Sequence, residues 1–470
     1  MSPRRTIAFI VMLAASFMVA VDATIVVLAL PAMMEGLKAS LDVVVWAIVV
    51  YLLVVTVFST QLGRLGDLRG RARVFNVGMA LFGLGSALAG ASTNAAELIA
   101  FRAVQALGGA MMTSNTMALI SDYFPPERRG WAFGWSSSVW NLGAVVGILA
   151  GGLITTYWGW RWDFYVNVPV AAIGFLLGLR YLEDLGERTR RSFDIWGAAS
   201  IGASLLLFSM AGLEIAALGP TETAFLEAAA GAALLIAFAL IETRAPEPII
   251  PKSLIGLKMF TMSSLSLFLQ TAANYAVLFL LTMYLQGVRG LNPFQASLWL
   301  MPGYLIGAVA ASAGGRLADR LDPRLVASTG LTMQIIAYLL YRAVLTTSTP
   351  LVYIPIIASV NGVGAALFYS SNGKLVMWEV PRSLYGAASG TSRTFGNIGM
   401  IVSFVLAIVV SAAAIPRELA FQIFAGLTSL DPALMEPFID SLRSAFLASA
   451  IIMVIAAALS WARLTHTPRQ

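Results

Sequence analysis

The sequence predicts an all-α polytopic membrane protein with fourteen transmembrane helices, and two observations lead to this fold class. First, 59% of the 470 residues are hydrophobic and only 11% are charged, whereas an average soluble domain is about 25% charged. Second, segment 63–67 (GRLGD) recurs as segment 315–319 (GRLAD), 252 residues further along and again between two apolar stretches. The chain therefore contains a duplicated membrane unit.

Each predicted helix is a continuous apolar stretch. A bilayer core of roughly 30 Å requires about 20 apolar residues per helix, and alternation typical of barrel strands is absent from these stretches. The predicted helices cover residues 6–30, 43–62, 74–94, 96–121, 131–157, 163–182, 194–217, 223–242, 259–285, 294–314, 325–346, 351–373, 387–411 and 442–463.

A second repeated pattern supports the duplication and predicts the domains. Gly130 and segment 141–143 (NLG) return as Gly386 and segment 397–399 (NIG), at an offset of 256 residues. This offset exceeds that of two directly joined six-helix halves by about two helices, which matches the hydrophobic pair between Asp194 and Thr243. We therefore predict an N-terminal six-helix bundle at 1–185, inserted helices 7 and 8 with their linkers at 186–258, and a C-terminal six-helix bundle at 259–470. Its outer loop, 412–441, is apolar enough for a short amphipathic element.

The distribution of basic residues predicts the orientation in the membrane. With fourteen helices, 22 of the 30 Lys and Arg residues fall on the side of the two termini and 6 on the other side. By the positive-inside rule, both termini are cytoplasmic. The net charge of +6 is thus explained by topology, and no nucleic-acid partner is expected.

The residue inventory argues against an enzyme. The chain has no cysteine, its only histidine is His466 in the tail, and it contains no HExxH, GxSxG or P-loop motif. We expect no catalytic residues, no metal and no cofactor. Any proton relay must use carboxylates.

Several segments together resemble one known family. Segment 63–73 resembles the loop between helices 2 and 3 of the major facilitator superfamily, and segments 22–31 and 160–169 resemble motifs of its fourteen-helix branch. Segment 102–109 resembles that branch's helix-4 arginine motif. The chain is thus similar to the fourteen-helix drug:proton antiporters (DHA2-type). The resemblance implies two six-helix bundles, protons as the coupling ion and a proton-relay role for Arg102.

Asp22 and Arg102 are the candidates for proton coupling. The helical rise places Asp22 about 25 Å along helix 1 from Arg5, in the outer half of the membrane, where a carboxylate is costly and usually functional. Arg102 on helix 4 lies at a similar predicted depth. We hypothesise that protonation of Asp22 competes with Arg102 or with a cationic substrate. The alternative is a permanent structural ion pair.

The repeated segment is a candidate conformational clasp. Gly63, Gly66 and Gly70 permit a tight turn and close helix approach, and Asp67 is able to accept from a helix N-terminus or an arginine. The alternative is a basic loop that acts only in topology. The clasp candidates are Gly63, Asp67, Arg69, Gly70, Arg71, Gly315, Asp319 and Arg320.

Helix 5 carries four glycines, for packing or for bending. They are Gly143, Gly147, Gly151 and Gly152, at positions where the family's antiporter motif has small residues. The chain departs from that motif because Ile148 stands where the family typically has proline. This departure weakens the inference of antiport.

A substrate pocket is expected between the two halves near the membrane midplane. Arg393, near the cytoplasmic side of helix 13, would attract an anionic headgroup, brace an inner gate or reach toward water. Only one acid, Asp22, is predicted at the site, which suits a hydrophobic molecule of at most one positive charge or a lipid. The remaining pocket candidates are Asn115, Trp140, Asn141, Gln270, Asn274, Tyr275 and Asn361.

The predicted function is secondary active transport by alternating access in the prokaryotic cytoplasmic (inner) membrane. A proton-coupled exporter of hydrophobic or cationic drugs is the first reading, and we expect a monomer surrounded by membrane lipids. Export of a lipid or lipid-linked molecule is the nearer alternative. A transport-like receptor or scaffold without flux is the alternative from another class, since a fold does not determine function.

Overall fold

The computed structural model describes residues 3–185, 194–245, 248–381, 384–412 and 432–463, and within these ranges it contains helices but no strands. The helices are α1 (Pro3–Leu37), α2 (Leu41–Val44), α3 (Trp46–Arg69), α4 (Arg71–Ala91), α5 (Ala95–Tyr123), α6 (Pro126–Tyr157), α7 (Trp162–Tyr165), α8 (Asn167–Tyr181), α9 (Ile195–Leu218), α10 (Glu222–Arg244), α11 (Lys252–Ile255), α12 (Lys258–Asn274), α13 (Val277–Met283), α14 (Pro293–Arg320), α15 (Pro323–Val344), α16 (Tyr353–Met377), α17 (Tyr385–Ala412) and α18 (Pro432–Ala462).

These helices form the fourteen predicted membrane segments, which confirms the predicted fold class. Three segments are each built from consecutive helices: α2 with α3, α7 with α8, and α12 with α13 and a π-helical turn at Tyr284–Val288. Twelve segments within the described residues are long and apolar enough to cross a membrane. The other two are α5 and α15, whose mean hydropathy is reduced by polar side chains buried inside the protein, such as Gln105 and Gln334.

Close glycine crossings show the duplication in three dimensions. A methyl group added to Gly108 on α5 would lie 2.5 Å from the carbonyl oxygen of Gly78 on α4. In the second half, a methyl group on Gly364 of α16 would lie 2.6 Å from the carbonyl oxygen of Gly330 on α15. The two pairs are related by the offsets of the sequence repeats, 252 and 256 residues. Lipid supplies little hydrophobic drive between helices, so such small-residue contacts let van der Waals packing hold them together.

The repeated segment is helical, which corrects the prediction of a glycine-rich loop. Residues 63–69 form the last turns of α3, and residues 315–320 form the end of α14. Only Gly70 makes the turn, with φ at +105°, a conformation that side chains with a Cβ atom rarely adopt. Gly66 serves close approach instead, because a methyl group there would lie 1.8 Å from Oδ1 of Asn115.

The chain divides into two compact units. Unit 1 comprises the described part of Met1–Gly202 together with Asn292–Ser297, and unit 2 comprises the described part of Ala203–Leu291 and of Leu298–Gln470. The three-part division at 185 and 258 stays a prediction. The amphipathic element expected in the outer loop falls largely on residues 413–431, outside the described ranges, and α18 begins at Pro432, ten residues before the predicted start of the last helix.

Candidate functional site

The centre of unit 1 holds a buried ion pair between Arg102 on α5 and Asp22 on α1. Nη1 of Arg102 donates to Oδ2 of Asp22 at 2.7 Å, and the two side chains are 2% and 0% exposed. Arg102 also donates from Nε to the carbonyl oxygen of Ala47 at 3.0 Å and from Nη1 to Oε1 of Gln105 at 2.8 Å. The two residues predicted to share one depth are thus in direct contact.

The second oxygen of Asp22 is also bonded. Oδ1 accepts from Nε2 of Gln105 at 2.8 Å and from Nδ2 of Asn167 at 3.2 Å. Both amides also donate to Oγ of Ser86, which donates to the carbonyl oxygen of Phe164 at 2.9 Å. Both oxygens of Asp22 therefore accept hydrogen bonds, from three side-chain donors in all. Gln105, Ser86 and Asn167 were not predicted as site residues, although Gln105 and Asn167 lie inside the family motifs.

A second buried acid in unit 1, Asp163, was not among the site residues predicted from the sequence. Asp163 is fully buried at the start of α7. Oγ1 of Thr155 donates to its Oδ2 at 2.5 Å, and its Oδ1 has no hydrogen-bond partner within the described ranges. Asp163 is the first residue of the predicted helix 163–182, directly after the segment Trp160-Arg161-Trp162. Burial by α1, α4, α6 and α8, which all contact α7, could not be read from that segment.

The first clasp segment makes its contacts within unit 1. Arg71 donates from Nε to Oδ1 of Asp67 at 2.9 Å and from Nη1 to Oδ1 of Asp122 at 2.8 Å. Gly70 lies against Asp184, whose Oδ1 accepts from the backbone N–H of Ala72 at 2.7 Å. Arg69 ends α3 and Gly63 packs near Ser114. Asp67 therefore accepts from an arginine, one of its two predicted partners.

The second clasp segment has a different set of partners, within unit 2. Asp319 forms an ion pair with Lys374 on α16. A methyl group added to Gly315 would have no atom of another described segment within 4 Å. Arg320 ends α14, and Asp322 caps α15 by accepting from the backbone N–H of Arg324 at 2.9 Å. The hydrogen bond from the Arg324 side chain lowers the pKa of Asp322. A switching role for either segment stays a prediction.

The helix-5 glycines lie along contacts of α6. Methyl groups on Gly143, Gly147 and Gly151 would lie within 3 Å of Phe17, Thr24 and Ile25 on α1, and one on Gly152 would lie 2.5 Å from Oγ of Ser297. The helix runs without a break from Pro126 to Tyr157. Ile148, at the position of the family's proline, is fully buried.

The predicted pocket residues are placed in several environments. Asn115 donates to the carbonyl oxygen of Leu62, Gln270 donates to Gln334, and Asn361 donates to Asn274 at 3.1 Å. Tyr275 packs its ring against Phe404, and Trp140 is exposed, with Asn141 half-buried beside it. Most of the predicted polar residues therefore bond to neighbouring helices.

Arg393 is the one predicted pocket residue that lines a cavity described in unit 2. This cavity has a volume of about 320 Å³ and lies among α12, α16 and α17. Arg393 is exposed to it. The other polar side chains on its wall are Thr271, Tyr369, Asn372, Ser389, Ser392 and Asn397.

A buried arginine stands behind the cavity wall. Arg463, directly after α18, is 0% exposed and donates from Nη1 to Oδ1 of Asn372 at 2.8 Å and to Oγ of Ser263 at 2.9 Å. Among the described residues, no carboxylate lies within ion-pair distance of Arg463. Burial lowers the pKa of Arg463 to about 10, so the side chain keeps its charge at neutral pH. Sequence reasoning missed this residue because it stood with the basic tail.

The duplicated helical bundle with a buried Asp–Arg pair is typical of a secondary transporter. The sequence model of the Major Facilitator Superfamily matches residues 12–404, and the chain belongs to that superfamily, as predicted. The puromycin resistance protein pur8 of Streptomyces alboniger is 34% identical over 360 residues, 75% of this chain and 70% of the relative. The tetracenomycin C resistance and export protein of Streptomyces glaucescens is 30% identical over 384 residues, 81% of this chain and 71% of the relative.

Solved structures show the same fold. The chain superimposes on the crystal structure of a bacterial homolog to the human lysosomal transporter Spinster with a TM-score of 0.69, over 98% of this chain and 97% of the other. The two sequences are 18% identical. At that identity the likeness bears on the fold alone.

Proposed function

We propose that the chain exports small drug-like molecules from a bacterial cell in exchange for protons. The names of its relatives support export, since they include resistance and export proteins for puromycin and tetracenomycin C. The chain acts as a single copy in the cytoplasmic membrane with both termini in the cytoplasm, in keeping with the excess of basic residues on that side.

The Asp22–Arg102 pair carries the proposal of proton coupling. A proton that binds Oδ2 of Asp22 replaces the hydrogen bond from Nη1 of Arg102, because one lone-pair direction is then filled by the proton. Arg102 keeps two acceptors when this bond is lost, the carbonyl oxygen of Ala47 and Oε1 of Gln105. The exchange therefore leaves the guanidinium with two hydrogen bonds, which offset part of the cost of opening a buried ion pair.

Proton binding and substrate binding are linked through this pair. Opening of the Asp22–Arg102 contact changes the packing between α1 and α5, and alternating access requires such discrete rearrangements. A substrate that favours the closed pair and a proton that favours the open pair exclude each other. Exchange of one for the other then couples export to proton entry.

Transport in proteoliposomes under an imposed pH gradient tests the proposal. We expect gradient-driven flux of a lipophilic drug in the parent and a loss of at least about tenfold in Asp22→Asn, comparable to the effect of removing a proton-transfer group. Glu35→Gln is the matched control, because Glu35 is an exposed acid on α1, the helix that carries Asp22. Asp163→Asn in the same assay determines whether the second buried acid takes part.

Two outcomes would contradict the proposal. Equal gradient-driven flux in the parent and in Asp22→Asn would exclude Asp22 as the coupling group. Absence of flux in every variant, with protein that binds the drug, would favour a receptor or scaffold.

Export of a lipid or lipid-linked molecule is the second candidate function. The cavity in unit 2 favours it, because apolar side chains stand beside Arg393 on its wall. Movement of a labelled lipid between the leaflets of the same proteoliposomes measures it. A lipid flux that exceeds drug flux would make the lipid the preferred substrate.

A further inference from the structure

We propose that the cavity in unit 2 binds the anionic group of an amphiphilic substrate, with Arg393 as the residue that contacts the anion. The inference rests on the proposed export function and adds the chemical class of the substrate. It differs from the sequence-based expectation of a cationic molecule, because the charges on the cavity wall have the opposite sign to those that a cation requires.

The charge of the cavity wall favours an anion. Among the described residues that line the cavity, Arg393 is the one charged side chain, and neither aspartate nor glutamate is among them. A lipophilic cation placed here would meet a guanidinium and no carboxylate. An anion meets a planar group with several donors, which binds carboxylate, sulfonate or phosphate oxygens with two parallel hydrogen bonds.

The buried charge of Arg463 lies close to the cavity wall. Its Nη1 donates to Oδ1 of Asn372, and Asn372 itself lines the cavity. The amide nitrogen of Asn372 donates to the carbonyl oxygen of Ser263 at 3.2 Å, so the orientation of the side chain is determined by two bonds. Arg463 therefore adds a positive potential one residue behind the wall, in an interior of low dielectric where charges are weakly screened.

The topology of unit 2 brings Arg393 and Arg463 to the same end of the bundle. The cavity lies along the second half of α12, the end of α16 and the first half of α17. Arg463 directly follows the end of α18 and bonds to Asn372 on the cavity wall. Arg393 and Arg463 thus belong to the same end of the bundle. Two arginines thus lie at one end of unit 2, and no acid is among the described residues of the cavity wall. This end of unit 2 therefore suits an anion, and it is separate from the Asp22–Arg102 pair of unit 1.

The cavity wall also has an apolar part. Leu267, Val376, Met377 and Met400 line the cavity beside the polar groups. Methionine side chains adapt to ligands of different shape. The cavity thus matches a molecule with one anionic group and one apolar portion, which describes both anionic lipids and anionic lipophilic drugs.

Binding of two matched probes to the purified protein tests the proposal. The probes are naphthalene-2-sulfonate and a naphthalene that carries a trimethylammonium group, so that the ring is the same and only the charge changes. We expect the parent to prefer the sulfonate and Arg393→Gln to bind it at least about tenfold more weakly, as expected for loss of a charge-assisted pair. Binding of the cationic probe should not weaken in Arg393→Gln, and Arg393→Lys should restore part of the affinity for the sulfonate.

Arg342→Gln is the matched control, because Arg342 is an exposed arginine of unit 2 that does not line the cavity. Its affinity for the sulfonate should equal that of the parent. Thermal unfolding of each variant checks that the fold is retained. Unchanged affinity of Arg393→Gln for the sulfonate, or a parent that prefers the cationic probe, would overturn the proposal.

A competition arm identifies the source of the anion. Addition of phosphatidylglycerol to vesicles of phosphatidylcholine displaces the sulfonate if a lipid headgroup is the natural ligand and leaves it bound if a free amphiphile is. Either result supports the shared chemistry. The assay uses no pH gradient, so binding that depends on Arg393 without any export in proteoliposomes would contradict the proposed function and leave the anion site in place.

Discussion

Two polar clusters occupy equivalent positions in the two halves of the chain, and only the first is charged. In unit 1 the cluster consists of Asp22, Ser86, Arg102 and Gln105. The residues found 252, 252, 256 and 256 positions further along are Asn274, Tyr338, Ala358 and Asn361.

The uncharged cluster keeps one hydrogen bond of the charged one and adds another. Oδ1 of Asn274 accepts from Nδ2 of Asn361 at 3.1 Å and from the hydroxyl of Tyr338 at 2.7 Å, as Asp22 accepts from Gln105. The duplicated scaffold therefore provides a polar contact in both halves. The charge that makes the first cluster a candidate proton site belongs to unit 1 alone.

The space for the arginine also differs between the halves. In unit 1 the guanidinium of Arg102 lies over the ring of Tyr51, with its carbon 4.4 Å from the ring centroid. The equivalent residues in unit 2 are Gly303 and Ala358, and a methyl group on Gly303 would lie 2.3 Å from Cβ of Ala358. Helices α14 and α16 therefore approach each other where α3 and α5 enclose a ring and a guanidinium, and the second half has no room for an arginine.

Asp22→Asn has the largest expected effect on stability, because it places in unit 1 the amide that Asn274 provides in unit 2 while Arg102 stays charged. We expect the free energy of unfolding to fall by about 3–5 kcal/mol, the usual cost of removing one partner of a buried ion pair. Reversible unfolding in mixed micelles, followed by tryptophan fluorescence, measures it.

The double variant Asp22→Asn with Arg102→Gln removes both charges and should regain part of that stability. Glu35→Gln, which changes an exposed acid on the same helix, should leave the free energy of unfolding unchanged. An Asp22→Asn protein as stable as the parent would show that Arg102 finds sufficient acceptors in Ala47 and Gln105.

Asn274→Asp is the reverse change and has the second-largest expected effect. It places a carboxyl group in the cluster of unit 2, where Ala358 stands in the position of Arg102. We expect the free energy of unfolding to fall by about 1–3 kcal/mol, because the half-buried carboxylate keeps the donors Asn361 and Tyr338 but has no arginine to balance its charge. The same micelle assay measures it, with Asn94→Asp at the exposed cap of α5 as control. A stable Asn274→Asp protein would mean that unit 2 tolerates an acid and that the asymmetry has another cause.

The repeats explain how much of this could be predicted from the sequence. Apolar length predicted the fourteen helices, and the two offsets predicted a duplication that the Gly78–Gly108 and Gly330–Gly364 crossings repeat in space. The depth of Asp22 and Arg102 was predictable because both lie within regular helices, whose rise per residue is constant.

The missed residues depend on tertiary packing. Asp163 belongs to a four-residue helix, and its burial results from four other helices that contact it. Arg463 stands in a basic tail segment that composition assigns to topology, and its burial results from contacts with Ser263 and Asn372, 200 and 91 residues away. No local pattern records such contacts. The helical state of 63–69 was missed because glycines that serve helix contacts look the same in sequence as glycines that serve turns.

The smallest predicted effect concerns equivalent helix starts. Gly70 and Asp322 are equivalent positions at the starts of α4 and α15, and so are Ala72 and Arg324. In unit 2, Asp322 itself accepts from the backbone N–H of Arg324. In unit 1, the glycine provides no side chain, and Asp184 from the segment after α8 accepts from the N–H of Ala72 instead. The same backbone donor is thus satisfied by a local cap in one half and by a distant one in the other.

Asp322→Ala should lower the free energy of unfolding by about 1 kcal/mol, as for loss of a helix N-cap, and Asp322→Asn should lower it less. Because Arg324 lowers the pKa of Asp322 in the folded state, the stabilisation by the carboxylate is complete above the unfolded pKa of about 3.9. It is lost as pH falls through the lower folded pKa. The difference between parent and Asp322→Ala should therefore be largest at neutral pH and shrink in strong acid.

Asp184→Ala should have a similar cost but should also free the segment after Tyr181 to proteolysis, because a distant cap holds two segments together and a local cap holds one. Equal protease sensitivity of Asp184→Ala and Asp322→Ala would contradict this distinction.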